Sequence, residues 1–201
     1  MAQPSPVVSY DSETSAQRAR RARIIQATLA LASRGGYEAV QMRAVAERSE
    51  VALGTLYRYF PSKVHLLVSA MSFELERMSS RLQRKAIPGA TRQERASFVL
   101  ERTTRSLQRD PNLTEALVRA MMAADATVAA EVTAVRAQMS DLIMQALRAG
   151  SATSEVAPDD EAYANVLQDV WFARHIAWLG GRAESDNVWD EIDQAIKLVL
   201  R

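Results

Sequence analysis

From about residue 20 onward, apolar residues recur at intervals of three and four, the spacing of one face of an α-helix. The first such stretch, residues 15–34, places Ile24, Ala27, Thr28 and Leu31 on one side. It stops at Gly35-Gly36, a pair suited to a left-handed helix end. Two short segments follow, one marked by Met42, Val45 and Ala46 and the other by Leu56 and Phe60, with a tight turn near residues 49–52 between them. Short helix, turn, short helix is the helix-turn-helix pattern. Pro61 suits the first position of a fourth helix, where no backbone N–H is needed. Leu67, Ala70, Met71, Glu74, Leu75, Met78 and Leu82 carry that helix to about residue 85, and Pro88-Gly89 closes it.

The same period predicts a fifth helix over 91–109, a sixth from Asp110-Pro111 to about 124, a seventh over 127–149, an eighth over 159–179 and a ninth over 185–200. No alternating strand pattern and no internal repeat interrupts them. The expected fold is therefore all-α, with about nine helices. Residues 1–14 read as a disordered arm, 15–67 as a helix-turn-helix domain, and 68–201 as a helical body; residues 151–158 read as a polar linker.

Composition narrows the chemistry. The 201 residues include no cysteine, which excludes disulfides, thiol catalysis and cysteine metal sites. Two histidines about a hundred residues apart, His65 and His175, give no ligand spacing, so no metal and no cofactor are expected. No nucleophile–base pair and no glycine-rich phosphate loop stands out, which argues against an enzyme. No run of eighteen apolar residues occurs and the N-terminal stretch lacks an apolar signal core, so no membrane partner and a cytoplasmic location are expected.

Charge is where the pattern gains meaning. The net charge is +1, but residues 1–63 hold nine Lys/Arg against five Asp/Glu, and the remainder is net negative. A basic front suits a nucleic-acid surface, although charge alone fits chance equally well. Arg18, Arg20, Arg21 and Arg23 open the first helix, either as a solvated start or as groups reaching phosphate or a minor groove. On the third helix, Gly54, Thr55, Tyr57, Arg58 and Tyr59 lie away from the Leu56–Phe60 face. Thr55, Tyr57 and Tyr59 are candidates for base edges or phosphates of double-stranded DNA, and Arg43 and Arg58 for sequence-independent attraction. Lys63 falls in the first turn of the fourth helix, beside unpaired N–H groups that can hold a phosphate.

Gly36-Tyr37, Met42-Arg43-Ala44-Val45-Ala46, Thr55-Leu56-Tyr57-Arg58-Tyr59-Phe60, and Lys63 with Leu66-Leu67 together resemble the DNA-binding domain of the TetR family of bacterial repressors. Two positions depart from the family pattern. The turn reads Ser49-Glu50-Val51 where Ala-Gly-Val is usual, and Ala52 stands where a small polar cap is usual. The whole chain also resembles one subgroup, the actinobacterial KstR-type regulators of sterol catabolism. The resemblance implies a homodimeric repressor on an operator, with residues 68–201 as an effector-binding and dimerisation domain that encloses an effector pocket.

In the eighth helix, Ala162, Val166, Val170, Ala173 and Ala177 form one apolar stripe, with Tyr163, Leu167, Trp171 and Trp178 beside it. In the ninth, Val188, Ile192, Ala195, Ile196 and Val199 are flanked by Trp189. Apolar coverage this wide predicts one side packed inside its own subunit and a face for a second copy, in a four-helix interface built around Ala162, Ala173, Ala177, Val188, Trp189, Ile192 and Ile196, with burial within a monomer as the alternative. The middle helices supply Phe98, Leu113, Leu117, Met121, Met139, Leu142 and Ile143, to which Val166, Val170 and Trp171 can be added. Spacing alone leaves this Met-rich set as plain core or as pocket lining; the resemblance favours a pocket. Most arginines of the body are expected in solvent, but Arg102 is expected on the inner side of the fifth helix beside Phe98, where it could meet an anion. An apolar cavity with a basic rim fits an amphipathic anion such as an acyl coenzyme A thioester, and the resemblance points to a sterol-derived one. The competing expectation is a helical carrier or enzyme for apolar ligands without sequence-specific DNA binding. The fourth helix is the expected hinge.

Overall fold

Thr14 opens the first helix with a reciprocal cap. Its hydroxyl accepts from the Gln17 N–H at 3.3 Å, and the Gln17 side chain accepts from the Thr14 N–H at 2.7 Å. The computed structural model describes residues 14–84, 86–149, 159–181 and 184–201, so all of the expected arm over 1–14 except Thr14, and the linker over 151–158, lie outside the described residues. Within the described residues the order is α1 (Ser15–Ala39), α2 (Met42–Arg48), α3 (Leu53–Tyr59), α4 (Lys63–Gln83), α5 (Arg92–Gln108), α6 (Pro111–Met122), a 3-10 turn (Ala126–Val128), α7 (Ala129–Arg148), α8 (Asp160–Leu179) and α9 (Ser185–Val199). No strand occurs among them.

The glycine pair breaks α1 where the sequence predicts: Gly35 and Gly36 leave helical geometry, Gly36 at φ 64°, and a short turn through Ala39 follows. Glu50 takes the left-handed position of the helix-turn-helix at φ 55°, where glycine would be unstrained. The turn compensates with local bonds. The buried Ser49 hydroxyl donates to the Val45 carbonyl at 2.6 Å, and the Val51 N–H donates to Ala46 at 3.0 Å. The fourth helix starts two residues later than its proline implies. Ser62 is its cap, accepting from the His65 N–H at 3.4 Å, and Pro61 precedes the cap.

α1 packs on α6, α4 on α6 and α7, α7 on α5 and α8, and α9 on α5 and α8. The core runs through all of these layers, from Leu56 and Phe60 in the head to Leu100, Leu117, Leu142, Ile143 and Leu167 in the body. Arg95 is an exception to the expected solvated arginines of the body. It is buried, and its guanidinium donates to the Ala146, Leu147, Gly89 and Ala90 carbonyls at 3.1 to 3.5 Å. Ala146 and Leu147 sit in the last turn of α7, where carbonyls lack helical partners and the helix dipole is negative. One buried cation thus caps α7 and ties it to the loop before α5. Gly89 allows the approach, since a Cβ there would lie 2.9 Å from Arg95.

The ninth helix requires a correction. Val188, Ile192 and Ile196 are buried inside the protomer, at 0 to 1% exposure, rather than facing a second copy. They form the one strong stripe of α9, and α5 and α8 supply the apolar surface to cover it. Ser97 of α5 fixes the register by donating to Asp193 at 3.0 Å. The outward apolar positions are instead Val166 at 47% and Leu198 at 55% exposure, with Ala162 and Ala173 exposed, and Ala177 and Trp189 partly so.

Because Ile192 is a core residue, Ile192→Ala should lower unfolding stability by about 2–5 kcal/mol. Urea unfolding measures this, and a loss below about 1 kcal/mol, of the size found at surface positions, would contradict the placement.

Candidate nucleic-acid interface and effector region

The head presents α3 by burying its opposite side. Leu56 is fully buried and Phe60 nearly so, while Gly54, Tyr57 and Arg58 share the outward face, Tyr57 at 46% exposure. Thr55 and Tyr59 lie partly covered at the flanks. A Cβ on Gly54 would meet nothing within 4 Å, so no internal packing demands glycine there. The missing side chain keeps the outer surface of α3 low enough for another backbone to come close. Arg43 and Arg18 are exposed, and Arg20 is partly so. Arg21 stacks its guanidinium over the Phe60 ring at 5.1 Å, so the start of α1 is tied to the end of α3.

Lys63 points elsewhere than the sequence predicts. Its ammonium lies 3.7 Å from the centre of the Tyr37 ring and 4.0 Å from Glu38. Burial lowers its pKa, and Glu38 opposes that shift. Lys63 therefore belongs to the joint between head and body in this structure, not to an open phosphate site. The joint is dense. The Tyr37 N–H donates to the Glu115 carboxylate of α6 at 2.7 Å. Arg119, one turn further along α6, pairs with Glu38 at 2.9 Å and lies over the Tyr37 ring at 4.6 Å. Asn112 donates to the Ser33 carbonyl at 3.2 Å. His65 adds a second tie: the Thr127 carbonyl accepts from Nε2 at 3.1 Å, which leaves Nδ1 to accept from the Ser62 hydroxyl at 2.9 Å. Glu115, Arg119 and Tyr37 were not singled out for any such role by the sequence. The only signals available were the Gly36-Tyr37 pair and the i, i+4 spacing of Glu115 and Arg119.

The body brings most of the expected effector residues together. Leu117, Met139, Leu142, Ile143 and Trp171 are buried in one core, with Leu113 and Met121 packed against it; Val170 is half-buried on α8. Trp171 reaches across to α5, its Nε1–H donating to the Thr104 hydroxyl at 3.0 Å. Two expectations fail. Val166 faces outward. Arg102 is exposed, because the buried arc of α5 runs through Arg95, Ala96, Val99, Leu100, Thr103 and Thr104 and leaves Arg102 just outside it. Phe98 is partly buried against the core and also lines an open groove of about 700 Å³ with Pro88, Glu101, Asp193 and Lys197. A second open groove, about 490 Å³, lies between α7 and α8 and carries Arg136, Arg148, Ser140 and Gln168 beside Met144. Among the described residues no group of three His, Asp or Glu is placed to hold a metal ion, and no helix is long and apolar enough to cross a membrane.

Residues 24–70 match the family described as bacterial regulatory proteins, tetR family, and residues 89–199 match the tetracyclin repressor-like C-terminal domain. The chain is 51% identical over 190 residues to the HTH-type transcriptional repressor KstR of Rhodococcus jostii, a match covering 94% of this chain and 87% of that protein. A crystal structure of a TetR transcriptional regulator from Rhodococcus sp. RHA1 superposes with a TM-score of 0.83 at 31% identity, covering 92% of this chain and 98% of that one. Thermus thermophilus FadR, a TetR-family repressor solved in complex with lauroyl-CoA, shares the fold at a TM-score of 0.68 and 20% identity, over 90% of this chain and 93% of that one. With a helix-turn-helix head, a matching helical body and repressor relatives of this similarity, the chain belongs to the TetR family of bacterial transcriptional repressors, which are DNA-binding regulators rather than enzymes.

Proposed function

We propose that this repressor binds a two-fold symmetric operator as a homodimer and is released when an amphipathic acyl coenzyme A thioester, of sterol or fatty acid origin, occupies the body. The observation that carries the DNA part is the outward face of α3. Gly54, Tyr57 and Arg58 stand on one side of a helix whose other side is locked by Leu56 and Phe60. Tyr57 reads or packs against the groove, Arg58, Arg43 and the arginines of α1 neutralise phosphates, and Gly54 lets the backbone approach. The dimer forms through the outward apolar positions of α8 and α9, with Val166, Ala173 and Leu198 at the centre of the face.

The effector part rests on the apolar character of the core around Leu117, Met139, Leu142 and Ile143. The anionic end of the ligand stays at the surface, because burying its charges unpaired is prohibitive. The groove between α7 and α8 supplies Arg136 and Arg148 for it. The resemblance to KstR repressors and the lauroyl-CoA held by a protein of the same fold support a thioester as the class. Coupling runs through α6. Its core-facing side carries Leu117, and its opposite face holds Tyr37 through Glu115. A ligand that shifts α6 therefore shifts the head, and the two states differ in the spacing of the paired heads.

Selection of bound sequences from a random DNA pool should return one two-fold symmetric motif. Against that motif, Tyr57→Ala should lower specific affinity by about 1–3 kcal/mol. Arg58→Ala should lower the salt slope of binding by about one unit. Unchanged affinity in both variants, measured by fluorescence anisotropy at several salt concentrations, would contradict the role of α3. For the dimer, Val166→Asp should give monomers in light scattering at micromolar concentration while leaving the melting temperature of the protomer within a few degrees; a variant that stays dimeric places the interface elsewhere. For coupling, Glu115→Ala should leave thioester and operator binding each within about threefold. It should reduce the effect of one on the other by about fivefold or more, a sizeable part of a normal allosteric coupling energy. An unaltered coupling would show that α6 signals by another route.

A further inference from the structure

Two cations share one carboxylate at the joint, and they belong to different parts of the molecule. Glu38 lies in the short turn after Gly36, and Lys63 is the first residue of α4, so both travel with the helix-turn-helix. Arg119 lies on α6 of the body. Its guanidinium is 2.9 Å from one Glu38 oxygen, while the Lys63 ammonium is 4.0 Å from the other. Both cations also lie over the Tyr37 ring, Lys63 at 3.7 Å and Arg119 at 4.6 Å. Glu115 is already engaged, since it accepts from the Tyr37 N–H at 2.7 Å and lies 3.4 Å from Arg119. Glu38 is therefore the carboxylate over which the two cations compete.

Lys63 is the looser of the two. It pairs at the longer distance, and its side chain is 22% exposed. Burial lowers its pKa most; Glu38 raises it, and the like charge of Arg119 lowers it again. The cation that neutralises Glu38 at shorter range thus also repels Lys63. Directly before Lys63 stands the Ser62 cap, so the ammonium sits at the positive end of a 21-residue helix, another unfavourable neighbour for a cation. A DNA phosphate offers a full negative charge, and the lysine stem is long and flexible enough to change partners. The expected phosphate contact of Lys63 and its observed place in the joint are then two states of one side chain.

We propose that Arg119 and Lys63 exchange at Glu38, and that this exchange switches Lys63 between the joint and an operator phosphate. With α6 in place, Arg119 neutralises Glu38 and Lys63 is released to the DNA. When α6 shifts, Arg119 is withdrawn, Glu38 takes Lys63 as its counter-ion, and the phosphate contact is lost. Glu38 is then an autoinhibitory group, and Arg119 is a positioning residue that strengthens DNA binding from the body without touching DNA. The inference rests on the coupling through α6 proposed above and adds the side chains that deliver it. It holds for any effector that shifts α6.

The test needs no effector. Fluorescence anisotropy of the full-length protein on its selected operator, at several salt concentrations, gives affinity and salt slope together. Arg119→Gln should weaken binding about fivefold and lower the salt slope by up to about one unit, the share of one phosphate contact. Arg119→Lys keeps the charge and should retain most of the affinity. In a Glu38→Gln or a Lys63→Gln background, Arg119→Gln should cost less than about twofold, because the competitor or the moving cation is already gone. Glu38→Gln alone should tighten binding about two- to threefold, the scale of an exposed ion pair, and only while Lys63 is present. An Arg119→Gln protein with unchanged affinity and salt slope overturns the proposal. So does a full loss that persists in Lys63→Gln, which would give Arg119 a part of its own. Should Arg119→Gln fail to fold, Glu38→Gln with and without Lys63→Gln decides. Tightening lost without Lys63 supports the exchange, and tightening that is absent or indifferent to Lys63 overturns it. A wild type without sequence preference would remove the operator reading instead. The same ranking on a mixed-sequence duplex, where phosphate contacts alone act, would still test the exchange.

Discussion

One carboxylate fixes how the head sits on the body. Glu115 of α6 accepts from the backbone N–H of Tyr37, and it does so only because Gly36 brings no side chain. A Cβ on Gly36 would lie 2.5 Å from the Glu115 carboxylate, and its φ of 64° is a conformation that other residues adopt only with strain. Around this bond gather Arg119, Glu38 and Lys63, with the Tyr37 ring among them. Each of these charges is partly exposed, so no single pair contributes much. Their joint effect is geometric: the cations and the aromatic ring leave Tyr37 one place to be, and the helix-turn-helix follows it.

The body depends on the same economy of exposed and buried groups. Among the described residues Arg95 has no carboxylate partner, yet its four carbonyl contacts close the end of α7 and pin the loop ahead of α5. That frees α7 to offer Met139, Leu142 and Ile143 to the interior and its polar side to the groove with α8. α9 closes the other side by burying its whole apolar stripe on α5 and α8. What remains for a second copy is the narrower outward face of α8 with the outer edge of α9.

Most of the fold was legible in the sequence, because helix period and helix punctuation are local. The spacing of Leu56 and Phe60, the glycine pair at 35 and 36, and the Asp110-Pro111 start each needs only a few neighbouring residues to be understood. The partners of a face are not local. The stripe of Ile192 and Ile196 could be read as apolar, but nothing within α9 says whether α5 or another chain covers it. Arg95 shows the reverse. Its spacing with Ala96 and Val99 marks an inward position, while its charge argued for solvent, and the carbonyls that resolve the conflict are about fifty residues away in sequence. Tyr37 and Glu115 are 78 residues apart, beyond any periodicity argument. Arg102 failed by a single position on the helical arc. Glu50 fills a glycine position because its turn makes enough backbone and Ser49 bonds to hold one left-handed residue.

In the proposed function the effector and the operator compete through one mechanical joint, and thermodynamic linkage requires such competition to be reciprocal. The most direct measurement is therefore a closed cycle. The sterol-acid coenzyme A thioester is titrated into the free protein and into the protein saturated with its selected operator, and the operator is titrated into the protein with and without thioester. The account predicts that operator weakens thioester binding by the same factor, about fivefold or more, by which thioester weakens operator binding. Both ligands binding tightly, each indifferent to the other, would contradict it.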